Sequence, residues 1–480
     1  MQGFVKEKEF YKQAACIAIP ISLQSVITIG VSMMDNIMVG ALGETALSAV
    51  ALANQFIGIY QIGCMGIGMG ASVLTARFWG MKDITSLKKV VTIMFRICIG
   101  LALLVFMAPT LLIPDRLMWI YTEEAEVIAQ GVLYYRWMVP CYLLHGLTLT
   151  STLILRSAGQ VQIPLVSSAG AFFVNIFFNY IFIFGKLGAP KMGVQGAALG
   201  TLLARIFEFV FIVDNFFGKD QKIGYRIKDL FGECASLLGE YIRVALPVVI
   251  SDTLLALGNT AVAMVMGRIG SGFVSANSIT AVIQQISTVL IQGICHAGCI
   301  ITGHTLGRGE QEKAQEQAWT FLWLGAIVWA AGAGVILLIR SYVIGFYNIT
   351  PETKQIAWKL MDAIALIVVF QSVNGVMTKG VLRGGGDTRF LMVADVLFLW
   401  IVSVPLGALA GLYWHLDVFW IYVFFEAGSG DKSGLVRISF KEPKVDQDAF
   451  SAVIFETVPD SLATSFDIKN ELHRSDQMRT

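Results

Sequence analysis

Apolar residues fill this chain in runs of roughly twenty, separated by short segments where charges and glycines gather. A helix needs about 20 mostly apolar residues to cross a bilayer. By that rule helices are predicted near 14–34, 47–76, 90–113, 127–149, 161–185 and 193–217. A second set is predicted near 241–265, 276–303, 318–340, 355–379 and 388–413. The stretch between the sets, 218–240, is polar and carries Lys219, Lys222, Arg226 and Lys228. The expected fold class is therefore all-α, a polytopic membrane protein. The pattern changes near the end. The apolar run 418–425 is short for a span, "LVRISFK" alternates like a strand, and "DSLATSFDIKNELHR" reads as a helix. Residues 426–480 are expected to form a small soluble tail of unknown role.

Composition agrees with the pattern. The chain is 56% hydrophobic and 14% charged, with a mean hydropathy of +0.68. A soluble domain carries about 25% charged residues, so a soluble fold is excluded. The net charge of +1 argues against nucleic acid as a partner. Lys6, Glu7, Lys8, Glu9 and Lys12 precede a full-length apolar segment, and no cleavable leader is expected. The seven cysteines are scattered and read as small hydrophobes. Lys and Arg gather in alternate loops, among them Arg77, Lys82, Lys88, Lys89, Arg156, Arg308 and Arg383. The positive-inside rule then puts the N-terminus in the cytoplasm. The loop 114–126 is acidic, with Asp115, Glu123, Glu124 and Glu126.

The chain also repeats itself. Shifted by 227 residues, Ala18 and Pro20 fall on Ala245 and Pro247, and Gly40 and Gly43 fall on Gly267 and Gly270. Gly66 falls on Gly293, Gly80 on Gly307, and Leu155, Arg156 and Gly159 fall on Leu382, Arg383 and Gly386. One offset holds throughout, as an internal duplication requires. Six spans per unit is an even number, so both copies enter from the same side. Parallel halves with a site between them serve alternating access in transporters. The expected layout is a first lobe at 1–217, a linker at 218–240, a second lobe at 241–425 with five full helices and a stump of the twelfth, and the tail at 426–480.

Several segments resemble the multidrug and toxic compound extrusion (MATE) family. They are "MMDNIMVGALG" with "SAVALANQ", "LTARFWGMKD", "LRSAGQVQIP", "NIFFNYIFIFG" with "GVQGAALGTLLAR", "ALPVVISD", "VMGRIG" and "LRGGGDTRF". The likeness runs over about residues 10–425 and keeps the family's order. It implies twelve helices in two lobes around a cleft, and an antiporter in the cytoplasmic membrane. In such an antiporter H⁺ or Na⁺ enters while an amphiphilic, often cationic, compound leaves. No other cofactor is expected, the partners are the small-molecule substrate and the lipid bilayer, and a monomer is expected. The region where a twelfth span should recur departs from the pattern.

The candidate residues follow. Asp35 lies late in the first helix, where a central charge costs about 2.5–3.5 kcal/mol. A carboxylate that holds a proton more readily from one side than the other is what coupling needs. The repeat puts Val262 at the matching position, so the lobes are not equivalent there. The resemblance agrees, because the family places a functional aspartate in this motif. The competing role is a cap at the loop entry. Asn175 and Asn179 stand one helical turn apart and share a face, with Thr201 on the next helix. The family usually has an acid at the position of Asn179. Arg205 and Glu208 stand three apart in the sixth span and should face protein or water. Cation coupling is thus assigned to Asp35, Asn175, Asn179, Thr201 and Glu208. Substrate binding is assigned to Gln55, Arg205, Asp252 and Gln284. Asp252 sits in the seventh span, where the family often has an acid, and Ser372 stands where some members carry another. "GCMGIGMGA" reads as close helix packing, since no strand precedes it and no GK[ST] follows.

Two other classes compete. A lipid-linked oligosaccharide flippase has the same architecture but tends to line its cavity with several cations. A membrane enzyme would need an HExxH, a Ser/His/Asp set or clustered acids, none of which the sequence shows; the expectation is a protein that is not an enzyme. An inactive or regulatory remnant is a third reading, prompted by the short twelfth span.

Overall fold

The computed structural model describes residues 4–346 and 350–430, and among them every regular element is helical. Twelve long elements follow one another. They are α1 Lys8–Gly40, α2 Glu44–Met81, α3 Ile84–Leu112, α4 Ala125–Ser157, α5 Gln162–Phe184 and α6 Val194–Lys219. After the linker come α7 Ala235–Ile269, α8 Ser271–Gly307, α9 Gln311–Phe346, α10 Pro351–Gly375, α11 Thr388–Tyr413 and α12 Val418–Gly430. Ten of the described helices are long and apolar enough to cross a membrane. Most outrun the apolar stretches that announced them: α1 starts at Lys8 and α2 runs to Met81, because each helix continues past the hydrocarbon boundary into charged turns. α12 is described over 13 residues, up to Gly430 where the described residues end. The strand and helix expected beyond Gly430 lie outside the described residues.

The two sets of helices interlock. The leading half of α1 is buried in a core built mainly from α8, α9 and α10, through Phe10, Ile17 and Ile21. Phe10 meets Phe321 edge to face at 5.2 Å, and the Val5 amide donates to Thr320 Oγ1 at 3.1 Å. The leading part of α7 does the reciprocal thing: Tyr241, Val244 and Ala245 join a core built from α2, α3 and α4. The Tyr241 hydroxyl donates to the Ile67 carbonyl at 2.9 Å. Each lobe therefore begins inside its partner, a refinement of the simple boundaries 1–217 and 241–425.

Glycine permits the closest approaches. A Cβ on Gly66 would stand 2.8 Å from Val249 Cα, and one on Gly70 would stand 2.5 Å from Ala245 Cα. Gly68, on another face of α2, is packed against Leu153 of α4. The glycines of "GCMGIGMGA" thus serve helix contact, as expected. Ser22 Oγ donates to the Val289 carbonyl at 3.3 Å, and His304 Nε2 bonds the Ser157 carbonyl at 2.6 Å. These inter-lobe contacts use α1 up to Ser22, α2 from Gly66 onward, α7 up to Val249 and α8 from Val289 onward. The other halves of these helices expose polar side chains, including Thr28, Asn54, Gln55, Thr260, Ser278 and Gln285.

The linker docks rather than hangs free. Lys88 of α3 pairs with Asp229 at 3.1 Å. Thr92 shares a hydrogen bond with the Tyr225 hydroxyl at 2.9 Å, and Arg96 donates to the carbonyls of Leu230 and Gly232. Asp229 itself is partly desolvated, but backbone and Lys88 hydrogen bonds hold its carboxyl below the ordinary carboxylate value.

Candidate functional site

Three helices of the first lobe build the site around Asp35. α1 supplies Asp35, five residues before its end and half-buried. α5 supplies Asn175 and Asn179, both fully inside the protein. Asn179 Nδ2 donates to Asp35 Oδ1 at 2.6 Å and to Asn175 Oδ1 at 3.2 Å. α6 makes room for this: a Cβ on Gly200 would collide with Asn179 Oδ1. That amide oxygen is buried and has no hydrogen-bond partner, an expensive state for an acceptor. Thr201 follows Gly200, partly buried. One turn further along α6, the Arg205 guanidinium lies in Coulomb range of the Asp35 carboxylate. The result is a cluster of oxygens with a titratable carboxylate at its edge and a fixed positive charge behind it. It suits a small cation or a proton.

Glu208 points elsewhere. Its Oε2 pairs with Arg205 Nη1 at 2.7 Å, and its Oε1 accepts from Ser168 at 3.3 Å. Ser168 Oγ accepts from Gln24 Nε2 at 2.8 Å, and Gln24 Oε1 accepts from Arg156 Nη2 at 2.5 Å. A polar chain therefore runs from the middle of α6 to the C-terminal end of α4.

The second-lobe candidates do not converge on this cluster. Asp252 meets Arg383 Nη2 at 3.5 Å, and beside it Ser251 donates to Asp395 Oδ2 at 3.1 Å. Gln284 accepts from the Tyr422 hydroxyl of α12 at 3.0 Å. Gln55 is exposed on α2. The structure brings together Asp35, Asn175 and Asn179, with Arg205 in Coulomb range, and gives Asp252 and Gln284 partners of their own in Arg383 and Tyr422. Reading the sequence overlooked Asp395, a lone acid inside the apolar run "RFLMVADVLFLW". It also left Arg156 and Arg383 as loop charges, although both turn back into their lobes. The repeat held the signal, because Arg156 matches Arg383 and Ser168 matches Asp395 at the same offset.

Comparison with known proteins fits this architecture. The MatE family model matches residues 20–181 and 247–409, one match per repeat and together more than half of the chain. The Probable multidrug resistance protein NorM of Thermotoga maritima is 25% identical over 448 residues, covering 92% of this chain and 94% of that protein. The Multidrug resistance protein MdtK of Yersinia pseudotuberculosis is 25% identical over 423 residues, covering 86% and 89%. Among solved structures, a MOP superfamily transporter from Pyrococcus furiosus, described as having a binding pocket of reverse polarity, superposes with a TM-score of 0.80 at 20% identity. It covers 95% of this chain and 98% of its own. A MATE structure in the straight conformation superposes with a TM-score of 0.79 at 22% identity, covering 89% and 93%. Matched over both of its halves, the chain belongs to the MatE family, the multidrug and toxic compound extrusion transporters.

Proposed function

We propose that this protein is a cation-coupled antiporter that exports amphiphilic compounds across the cell membrane by alternating access, with Asp35 as the coupling group. The observation that carries the reading is the half-buried Asp35 carboxylate held by Asn179, with a second, unpartnered amide oxygen in the same pocket. An arriving H⁺ or Na⁺ neutralises the carboxylate. The Asn179 amide then no longer has a charged acceptor, and the α1–α5 contact loosens. That links ion occupancy to the packing of the helix whose leading half sits in the other lobe's core. The relatives' names, both multidrug resistance proteins, support the substrate class.

Orientation follows from charge. The end at which the lobes are locked together carries Arg77, Lys82, Lys88, Arg96, Arg226 and Arg308, which by the positive-inside rule is the cytoplasmic end. The N-terminus is then inside, and the polar faces of α1, α2, α7 and α8 open outward. No ATP-binding motif is present in the sequence, so energy comes from an ion gradient or from a separate subunit, and the proposed reading takes the gradient. One monovalent ion crossing about 150 mV supplies about 3.4 kcal/mol, which sustains roughly a 300-fold gradient of a neutral compound.

The test is dye efflux in everted vesicles with pH and Na⁺ gradients imposed one at a time. Asp35→Asn is expected to insert normally and to lose efflux driven by whichever gradient drives the native protein. Undiminished gradient-driven efflux by that variant would refute the assignment.

A further inference from the structure

The duplication exposes an imbalance of charge at the inner end of the molecule. At the repeat offset Arg156 matches Arg383, Gln24 and Ser25 match Ser251 and Asp252, and Ser168 matches Asp395. In both lobes an arginine reaches back to the first helix of the unit, Arg156 from the end of α4 and Arg383 from the helical segment that follows α10. In the second lobe it ends on a carboxylate, Arg383 Nη2 to Asp252 Oδ1 at 3.5 Å. In the first lobe it ends on a neutral amide, Arg156 Nη2 to Gln24 Oε1 at 2.5 Å. The position that matches Asp252 holds Ser25, whose hydroxyl is turned back onto the Ile21 carbonyl at 3.1 Å. Among the described residues no carboxylate lies within ion-pair distance of Arg156. The nearest acid along its hydrogen-bonded chain, Glu208, is already held by Arg205. Arg156 Nε is buried and has no acceptor, as is also true of Arg383 Nε. Beside Arg156, the Ser157 carbonyl meets His304 Nε2 of α8 at 2.6 Å across the lobe interface.

A guanidinium partly withdrawn from water is best held by a compensating partner. Here the protein supplies the hydrogen bond to Gln24 but no countercharge. We infer that Arg156, oriented by Gln24 beside the lobe interface, is the seat of an anion-binding site at the inner end. The ligand chemistry is a carboxylate or phosphate oxygen pair, which the planar guanidinium fork matches. Its source is either the acidic end of a transported amphiphile or the headgroup of an anionic lipid. The inference deepens the proposed transport function by giving the substrate or the bilayer an anionic contact, and binding can be measured without transport.

The probes are fluorescein, a soluble carboxylate dye, and rhodamine 6G, a cationic one, read by fluorescence anisotropy on the purified full-length protein in neutral detergent. Arg156→Gln removes the charge. Ser25→Asp copies the second lobe and supplies an internal countercharge without deleting the arginine. Fluorescein is expected to bind the native protein, and both substitutions to weaken it at least tenfold while rhodamine 6G binding is unchanged. The lipid arm compares thermal stability in nanodiscs of phosphatidylcholine with and without phosphatidylglycerol. A stabilisation by phosphatidylglycerol that both variants lose, without fluorescein binding, assigns the site to a headgroup. The inference is overturned if the native protein responds to neither anion, or if both variants respond as it does. Absence of gradient-driven efflux from the native protein, with anion binding present, would instead count against the transport reading.

Discussion

At the scale of single residues, Asp35 depends on neighbours that own no charge. Asn179 spends its amide hydrogens on Asp35 and Asn175, and Gly200 leaves the space in which its oxygen lies. Gly200→Ala must push that amide aside, an overpacking error of the kind that costs about 1–3 kcal/mol. The expected outcome is a protein that still inserts, melts several degrees lower, and loses most gradient-driven efflux. A scanning melt and the vesicle assay check both parts. Asn179→Asp sets a second carboxylate where the Asn179 amide now lies 2.6 Å from Asp35 Oδ1, so the pair shares a proton. Gradient-driven efflux of that variant is expected to shift its optimum to higher pH. Part of this site was legible beforehand. A lone acid in an apolar run and two asparagines one turn apart are visible because membrane helices rarely keep such groups without a use. The partnering of Glu208 was not legible, since spacing along α6 gives its neighbour Arg205 but not Ser168 from α5. Asp252 was assigned to substrate binding on the family resemblance, and its contact with Arg383 was not legible in the sequence.

Helices were the best-read level, because twenty apolar residues in a row admit few other structures in lipid. Their ends were not, because the periodicity that marks a span fades where the helix enters water and caps take over. The start of α3 is one such end. Asp83 is its N-cap and accepts from the Ser86 amide at 3.0 Å. The hydrogen bonds from Ser86 hold the Asp83 carboxyl below its ordinary value. A depressed acid stabilises the fold above its unfolded pKa, about 3.9, and this contribution is lost as pH falls through the folded value. Asp83→Ala is expected to cost about 1 kcal/mol at neutral pH, and the difference from the native protein should shrink as the pH drops below about 4. Melts across that range decide it. The linker shows a second limit of pattern reading. Its lysines and arginines marked it as polar, but nothing in one sequence revealed that Arg96 would hold its backbone carbonyls or that Lys88 would pair with Asp229.

On the scale of the whole molecule, the repeat said more than any single motif. It implied two equivalent units, and matched hydrogen bonds recur at the same spacing. Asp35 with Asn179, Gln24 with Ser168, and Ser251 with Asp395 each join residues 144 apart. The same register of first helix against fifth was laid down twice and then filled with different chemistry. What the repeat could not show is that the two copies interpenetrate, with Phe10 in one core and Tyr241 in the other. Interpenetration locks the charged end of the molecule: α1, α2, α7 and α8 touch there through Ser22, Gly66, Gly70 and His304. The proposed antiport cycle requires that packing to open. A disulfide between cysteines introduced at Ser22 and Val289, whose hydroxyl and carbonyl lie 3.3 Å apart, would hold it shut. In a background without the native cysteines, oxidation of this pair is expected to stop efflux while leaving the native fold and any outward-side ligand binding intact. Reduction should restore transport. Full efflux by the oxidised protein, with the cross-link confirmed by mass, would mean that the two lobes do not part at this end during the cycle.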